Sequence, residues 1–112
     1  MIITLPIKTV SEANVRCHHM VRAKRTKANR RAAWMLSRAY PVPCVVTLVR
    51  VSPGTLDSDN LRSALKAVRD GIADRLCVDD GGDLVRWEYR QEKGPACVRV
   101  EFGPMDEQER AA

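Results

Sequence analysis

Cys44-Val45-Val46-Thr47-Leu48-Val49-Arg50-Val51 is apolar and β-branched almost without interruption, and it constrains the fold more than any other stretch of the chain. Eight such residues read as a strand, and continuous rather than alternating apolarity marks a central one. The flanking segments must therefore supply neighbours and cover for it. Ile2-Ile3-Thr4-Leu5-Pro6-Ile7 is short and β-branched, a second strand with its end marked by Pro6. Residues 9–20 have no clean period and read as a loop.

Two segments have helical composition. From Arg22 to Tyr40 the chain is rich in Ala, Lys, Arg, Met and Leu, with Ala28, Ala32, Met35, Leu36 and Ala39 as the expected buried stripe and Pro41 and Pro43 as the stop. From Ser58 to Arg75, Leu61, Leu65, Val68, Ile72 and Leu76 recur at helical spacing. Ser52-Pro53-Gly54 precedes this helix as a turn, and Val78-Asp79-Asp80-Gly81-Gly82 follows it as another. Leu84–Arg90 and Cys97–Phe102 both alternate, and the turn residues Glu92–Pro95 between them predict a hairpin. The expected architecture is α+β: a single small domain over 1–103 in the order β-α-β-α-β-β, with a mixed sheet, two helices and a frayed polar tail at 104–112.

At 45% apolar and 29% charged, the 112 residues suffice for one modest core. No apolar run approaches the about 18–20 residues that span a bilayer. The opening residues lack a basic leader and a cleavage site, so a cytoplasmic setting with reduced thiols is expected. Cys17, Cys44, Cys77 and Cys97 stand singly, without a CxxC pair, and Cys44 and Cys77 read as small core residues. Cys17-His18-His19 has metal-ligand chemistry but no second half at a recognised spacing, and reads as loop.

Charge is polarised along the chain. Residues 1–50 hold ten Lys/Arg against the single acid Glu12, whereas residues 51–112 hold nine Lys/Arg against thirteen acids. Arg22, Lys24, Arg25, Lys27, Arg30 and Arg31 wrap more than one face of the first helix, which costs self-repulsion unless anions are near. A polyanion partner is expected there. Trp34 and Trp87 have the shape to stack on a base, although the core is the commoner place for a tryptophan.

The acids fall into two groups. Asp57 and Asp59 occupy alternate positions at a helix entrance, where the macrodipole favours carboxylates and an N-cap needs only one. Asp79 and Asp80 lie past the other end of the same helix, about 27–30 Å away along a straight axis. A turn role for Asp79-Asp80-Gly81-Gly82 is the plain alternative. Lys66, seven positions after Asp59 and on nearly the same face, is placed either to offset carboxylates or phosphate charge or to be an ordinary solvated lysine.

Asp57-x-Asp59-Asn60-Leu61, Asp70-Gly71-Ile72-Ala73-Asp74-x-Leu76 and Val78-Asp79-Asp80 together resemble the RusA-type endodeoxyribonucleases that resolve Holliday junctions. Ile3-Thr4-Leu5-Pro6 and Asn14 resemble that family's first strand and following loop. The strong match spans roughly residues 56–90. The resemblance implies a homodimer that cleaves symmetric phosphodiesters of branched DNA with Mg2+ or Mn2+, in a phage or prophage recombination or replication setting. It implies Asp57, Asp59 and Asp80 as catalytic metal-binding carboxylates, with Asp79 close by; Lys66, though not at the family's lysine position, is the expected catalytic cation. Asn14, Arg22, Lys24, Arg25, Lys27, Arg30, Arg31, Asn60 and Arg62 are the expected DNA contacts. The family pattern has a lysine four residues after the second aspartate; this chain has Ser63 there, with Lys66 and Arg62 as the candidate replacements. Two other readings compete: a non-catalytic nucleic-acid-binding protein that keeps the fold, and a small basic protein whose first helix docks on an acidic partner.

Overall fold

The computed structural model describes residues 1–9, 19–79 and 81–105. Its elements are β1 (Ile2–Leu5), α1 (His19–Leu36), β2 (Cys44–Val51), α2 (Ser58–Leu76), β3 (Val85–Glu92) and β4 (Cys97–Pro104). The domain is α+β, with a four-stranded mixed sheet in the order β1-β4-β2-β3. Since β4 is antiparallel to both β1 and β2, and β3 is parallel to β2, the strands β1, β2 and β3 all point one way. The chain is thus two successive β-α-β passes, with β4 inserted backwards into the first. None of the described helices is long and apolar enough to cross a membrane.

The inserted strand corrects the expected hairpin. β3 and β4 do not pair; each takes one edge of β2, so that Val51 sits opposite both Glu92 and Cys97. Burial of β2 decides this, because its apolar run needs a partner on each side, and one hairpin against one edge would leave the other open. The connector at 93–96 crosses the end of β2 through the bonds Ser52 N–H to Glu92 O (3.0 Å) and Gly94 N–H to Ser52 O (3.2 Å). A Cβ on Gly94 would come within 2.9 Å of Val51 Cγ1, so glycine lets the crossover lie this close.

Both helices belong to the face of the sheet that carries Leu5, Cys44, Val46, Leu48, Val85, Val98, Val100 and Phe102, and α2 adds Leu61, Leu65, Val68 and Ile72 to that core. The predicted α2 stripe is correct, with Leu76 only partly buried at its end. Each fully buried aliphatic side chain contributes roughly 1.5–3 kcal/mol. The other sheet face has no helix, yet Val49 is 0% exposed. Its cover is ionic. Arg90 of β3 reaches Glu101 of β4 (2.9 Å) and Arg99 of β4 reaches Glu92 of β3 (2.7 Å), two parallel diagonals that span β2 on either side of Val49. Arg99 also bonds Glu101 (2.9 Å). The Arg99 guanidinium holds the Glu92 carboxyl below its usual range, and Glu92 and Glu101 together push Arg99 upward. Charges on this face are matched among themselves.

α1 departs from expectation. It runs His19–Leu36 rather than Arg22–Tyr40, and of its predicted stripe Ala28, Met35, Leu36 and Ala39 are exposed, with Ala32 half-buried. Among its described side chains only Ala33 is fully buried. The reason is that α1 docks mainly on α2, through small and polar residues: a Cβ on Gly71 would lie 2.3 Å from Arg30 O and 2.7 Å from Ala33 Cβ. Arg30 then clamps the pair with a bidentate bond to Asp74, at 2.8 and 3.0 Å. Contact of this kind leaves no apolar signature for a helical-wheel reading to find.

Cys77 is a third correction. It is exposed, and it caps α2 in the left-handed region (φ 57°, ψ 43°) with its N–H on the Ala73 and Asp74 carbonyls. It follows the last stripe residue, so the helix turns it away from the core. Cys44 is buried as expected, which pushes its thiol pKa up. The strand ends differ slightly from the forecast, β1 stopping at Leu5 and β4 continuing through Pro104. Most of the expected loop, with Asn14, Cys17 and His18, and residues 106–112 of the tail lie outside the described residues.

Gly71→Ala overpacks the helix crossing and is expected to destabilise the domain by about 1–3 kcal/mol in urea unfolding. Cys77→Gly relieves the left-handed cap and is expected to stabilise it by up to about 1 kcal/mol in the same assay.

Candidate nucleic-acid and metal site

The entrance of α2 is built by three contacts. Gln91, at the end of β3, takes the Leu56 N–H on its Oε1 (3.0 Å) and donates its Nε2 to the Leu56 carbonyl (2.6 Å). Its side-chain amide thus mimics a neighbouring strand for the residue before Asp57. Arg50, buried at the end of β2, donates Nε to Thr9 Oγ1 (3.0 Å) and Nη1 to the Gly54 carbonyl (3.1 Å), tying the turn before α2 to the segment after β1. Asp57 then caps the helix by accepting the Asn60 N–H (2.9 Å). The capping interpretation of Asp57 is therefore correct in geometry, and one of its carboxylate oxygens is engaged. Asp57 and Asp59 are both exposed.

Next to this pair lies an open hollow lined by Arg62, Ser63, Lys66, Arg69 and Tyr89. Arg62 lies over the Tyr89 ring (5.6 Å), and Arg69 donates to the Tyr89 hydroxyl (2.8 Å). Both candidate replacements for the family lysine thus share one hollow with Ser63. Lys66 is ion-paired with Asp70 one turn on (3.2 Å), its side chain 70% exposed. Ser63 and Lys66 also border the groove between the helices, together with Arg22, Thr26 and Asn29.

Asp79 is separated from Asp57 and Asp59 by the whole of α2, 19 residues and about 27 Å. It borders a polar hollow with Arg30, Asp70 and Asp74, whose carboxylates are engaged by Arg30 and Lys66. Among the described residues no three His, Cys, Asp or Glu side chains come close enough to hold a metal, and Asp80 lies outside them. A single chain therefore places two exposed carboxylates, Asp57 and Asp59, at the α2 entrance.

The expected DNA contacts divide. Lys24, Lys27 and Arg31 are exposed and have no ion-pair partner among the described residues; Arg22 borders the interhelical groove and Arg25 is half-buried. Arg30 is committed to Asp74. Gln91 and Arg50 escaped the sequence reading, although each is a polar residue at an inward position of a strand, which is the signal that finds them. Trp34 is 44% exposed, with Arg75 over its ring (5.5 Å).

The Arg30 hydrogen bonds hold the Asp74 carboxyl below its usual range. Because the folded-state pKa is the lower one, the stabilisation is complete above the unfolded value near about 3.9 and is lost as pH falls through the folded value. Arg30→Gln is expected to cost about 0.5–1 kcal/mol near neutrality, both side chains being half-exposed, and the difference from the native chain is expected to shrink below about pH 4 in pH-dependent urea unfolding. No family model matches the chain, and no match was found among curated proteins or solved structures.

Proposed function

We propose that this chain is a metal-dependent, structure-selective endodeoxyribonuclease of the RusA type, a cytoplasmic homodimer that resolves four-way DNA junctions by paired phosphodiester hydrolysis. The observation that carries the reading is the exposed pair Asp57 and Asp59 beside the cationic hollow of Arg62, Lys66 and Arg69, one helix length from Asp79. Carboxylates set among phosphate-binding cations repel the substrate unless a hard divalent ion lies between them. One or two carboxylates with water and substrate phosphate are the usual Mg2+ donor set, and Asp57 with Asp59 fits it. When bound, Mg2+ or Mn2+ supplies phosphate polarisation and an activated water for in-line attack. A twofold axis with antiparallel α2 helices would bring one copy's Asp57 and Asp59 to its partner's Asp79–Asp80 end. Arg62 and Lys66 would hold the scissile phosphate.

A second reading, a non-catalytic binder of branched DNA, is favoured by Ser63 at the family's lysine position and by the capping duty of Asp57. A labelled four-way junction and a matched duplex, each with Mg2+, Mn2+ or EDTA, separate the two. Paired symmetric nicks that need metal are expected, and Asp59→Asn is expected to reduce them to background. Asp57→Asn is the sharper variant, because asparagine caps a helix about as well as aspartate. Its stability is expected to stay within a few tenths of a kcal/mol while cleavage is lost. Ser63→Lys is expected to raise the rate. Tight binding without cutting under any metal would establish the second reading instead.

A further inference from the structure

Lys27, Arg31 and Trp34 occupy positions i, i+4 and i+7 of α1 and so share one face. All three residues are exposed. An open hollow of ≈ 380 Å³ is lined there by Lys27, Arg30, Arg31, Trp34 and Asp74. Asp74 is matched by Arg30 (2.8 Å), which leaves Lys27 and Arg31 as two exposed cations without ion-pair partners among the described residues. Beside them stands an indole that is 44% exposed, with Arg75 at 5.5 Å from its ring. The residues that follow, Met35 and Leu36, are 60% and 50% exposed.

We propose that Lys27, Arg31 and Trp34 form a binding platform for an unpaired nucleotide, with the base stacked on the exposed indole and its flanking phosphates on the two cations. Charge complementarity selects this occupant. All 18 residues of α1 lack a carboxylate, so a second copy seated face to face would oppose two uncompensated basic surfaces. An acidic peptide would satisfy the cations but brings no flat π-face to the indole. A single strand brings both, and stacking on an exposed aromatic is tolerant of sequence. A four-way junction in its open form leaves base pairs at its crossover unstacked, and their opening presents single bases. The proposal rests on the nucleic-acid part of the preceding reading and not on cleavage.

The test uses the full chain in EDTA, so that no cutting enters. Trp87→Phe isolates the fluorescence of Trp34, and it also removes an indole Nε1 that is buried without a hydrogen-bond partner. Titration with a thymidine 12-mer is expected to quench Trp34 saturably and less strongly as salt rises. In the native background, Trp34→Ala is expected to weaken 12-mer binding about tenfold by fluorescence anisotropy, with Trp34→Phe retaining most of the affinity. Junction binding without Trp34 quenching, and with Trp34→Ala unchanged, would overturn the platform while leaving the nuclease reading in place. No binding of either DNA would overturn both. Equal quenching by a polyglutamate peptide would overturn the nucleotide in favour of an acidic protein. Dimer dissociation on Trp34→Ala in sedimentation, with unchanged DNA affinity, would make the patch a contact between copies.

Discussion

The burial of β2 governs the rest of the domain. Its apolar run needs hydrogen-bonded partners on two edges and cover on two faces, and each requirement is met by different chemistry. The edges are taken by β3 in parallel and β4 in antiparallel register, which carries the 93–96 connector over the strand end, where Gly94 lies close against Val51. One face is covered by the aliphatic stripe of α2. The other is covered by the parallel Arg90–Glu101 and Arg99–Glu92 bridges, whose arginines both stand opposite Val49. On the helix-free face the charges are matched among themselves, whereas Lys24, Lys27 and Arg31 of α1 are exposed without ion-pair partners among the described residues.

The helix pair shows a different balance. α2 is held by hydrophobic burial against the sheet, whereas α1 is held to α2 by a close approach at Gly71 and by Arg30 on Asp74. The resulting attachment lets α1 turn its larger apolar side chains, Trp34, Met35 and Leu36, to solvent. The same geometry places Lys24, Lys27 and Arg31 outward. The basic, aromatic surface of α1 and the carboxylate entrance of α2 are thus two aspects of one helix arrangement. They support a reading in which phosphates are gathered by α1 and processed at the α2 entrance of a dimer.

Legibility followed the type of interaction. β2, the α2 stripe and the α+β class were readable, because periodic burial writes itself into residue type. The α1 stripe was not, since Ala33, Gly71 and Arg30 make a contact of small and polar groups that periodicity does not register. The expected hairpin failed for a related reason: alternation in 84–90 and 97–102 identifies two strands but says nothing of which edges they take. At the candidate site, spacing singled out Asp57, Asp59 and Lys66 and the family resemblance added Arg62, while Gln91 and Arg50 became visible only through Leu56, Thr9 and Gly54, contacts distant in the chain.

The sequence by itself determined the local elements and the chemistry available to them: an apolar central strand, an amphipathic helix with acids at both ends, and a basic helix. Those depend on short-range periodicity and residue type. Tertiary structure alone decided that β4 lies between β1 and β2 and that Cys77 and Trp34 face outward. Each of these is a matter of which surfaces meet, and long-range packing selects among pairings that local sequence leaves equivalent.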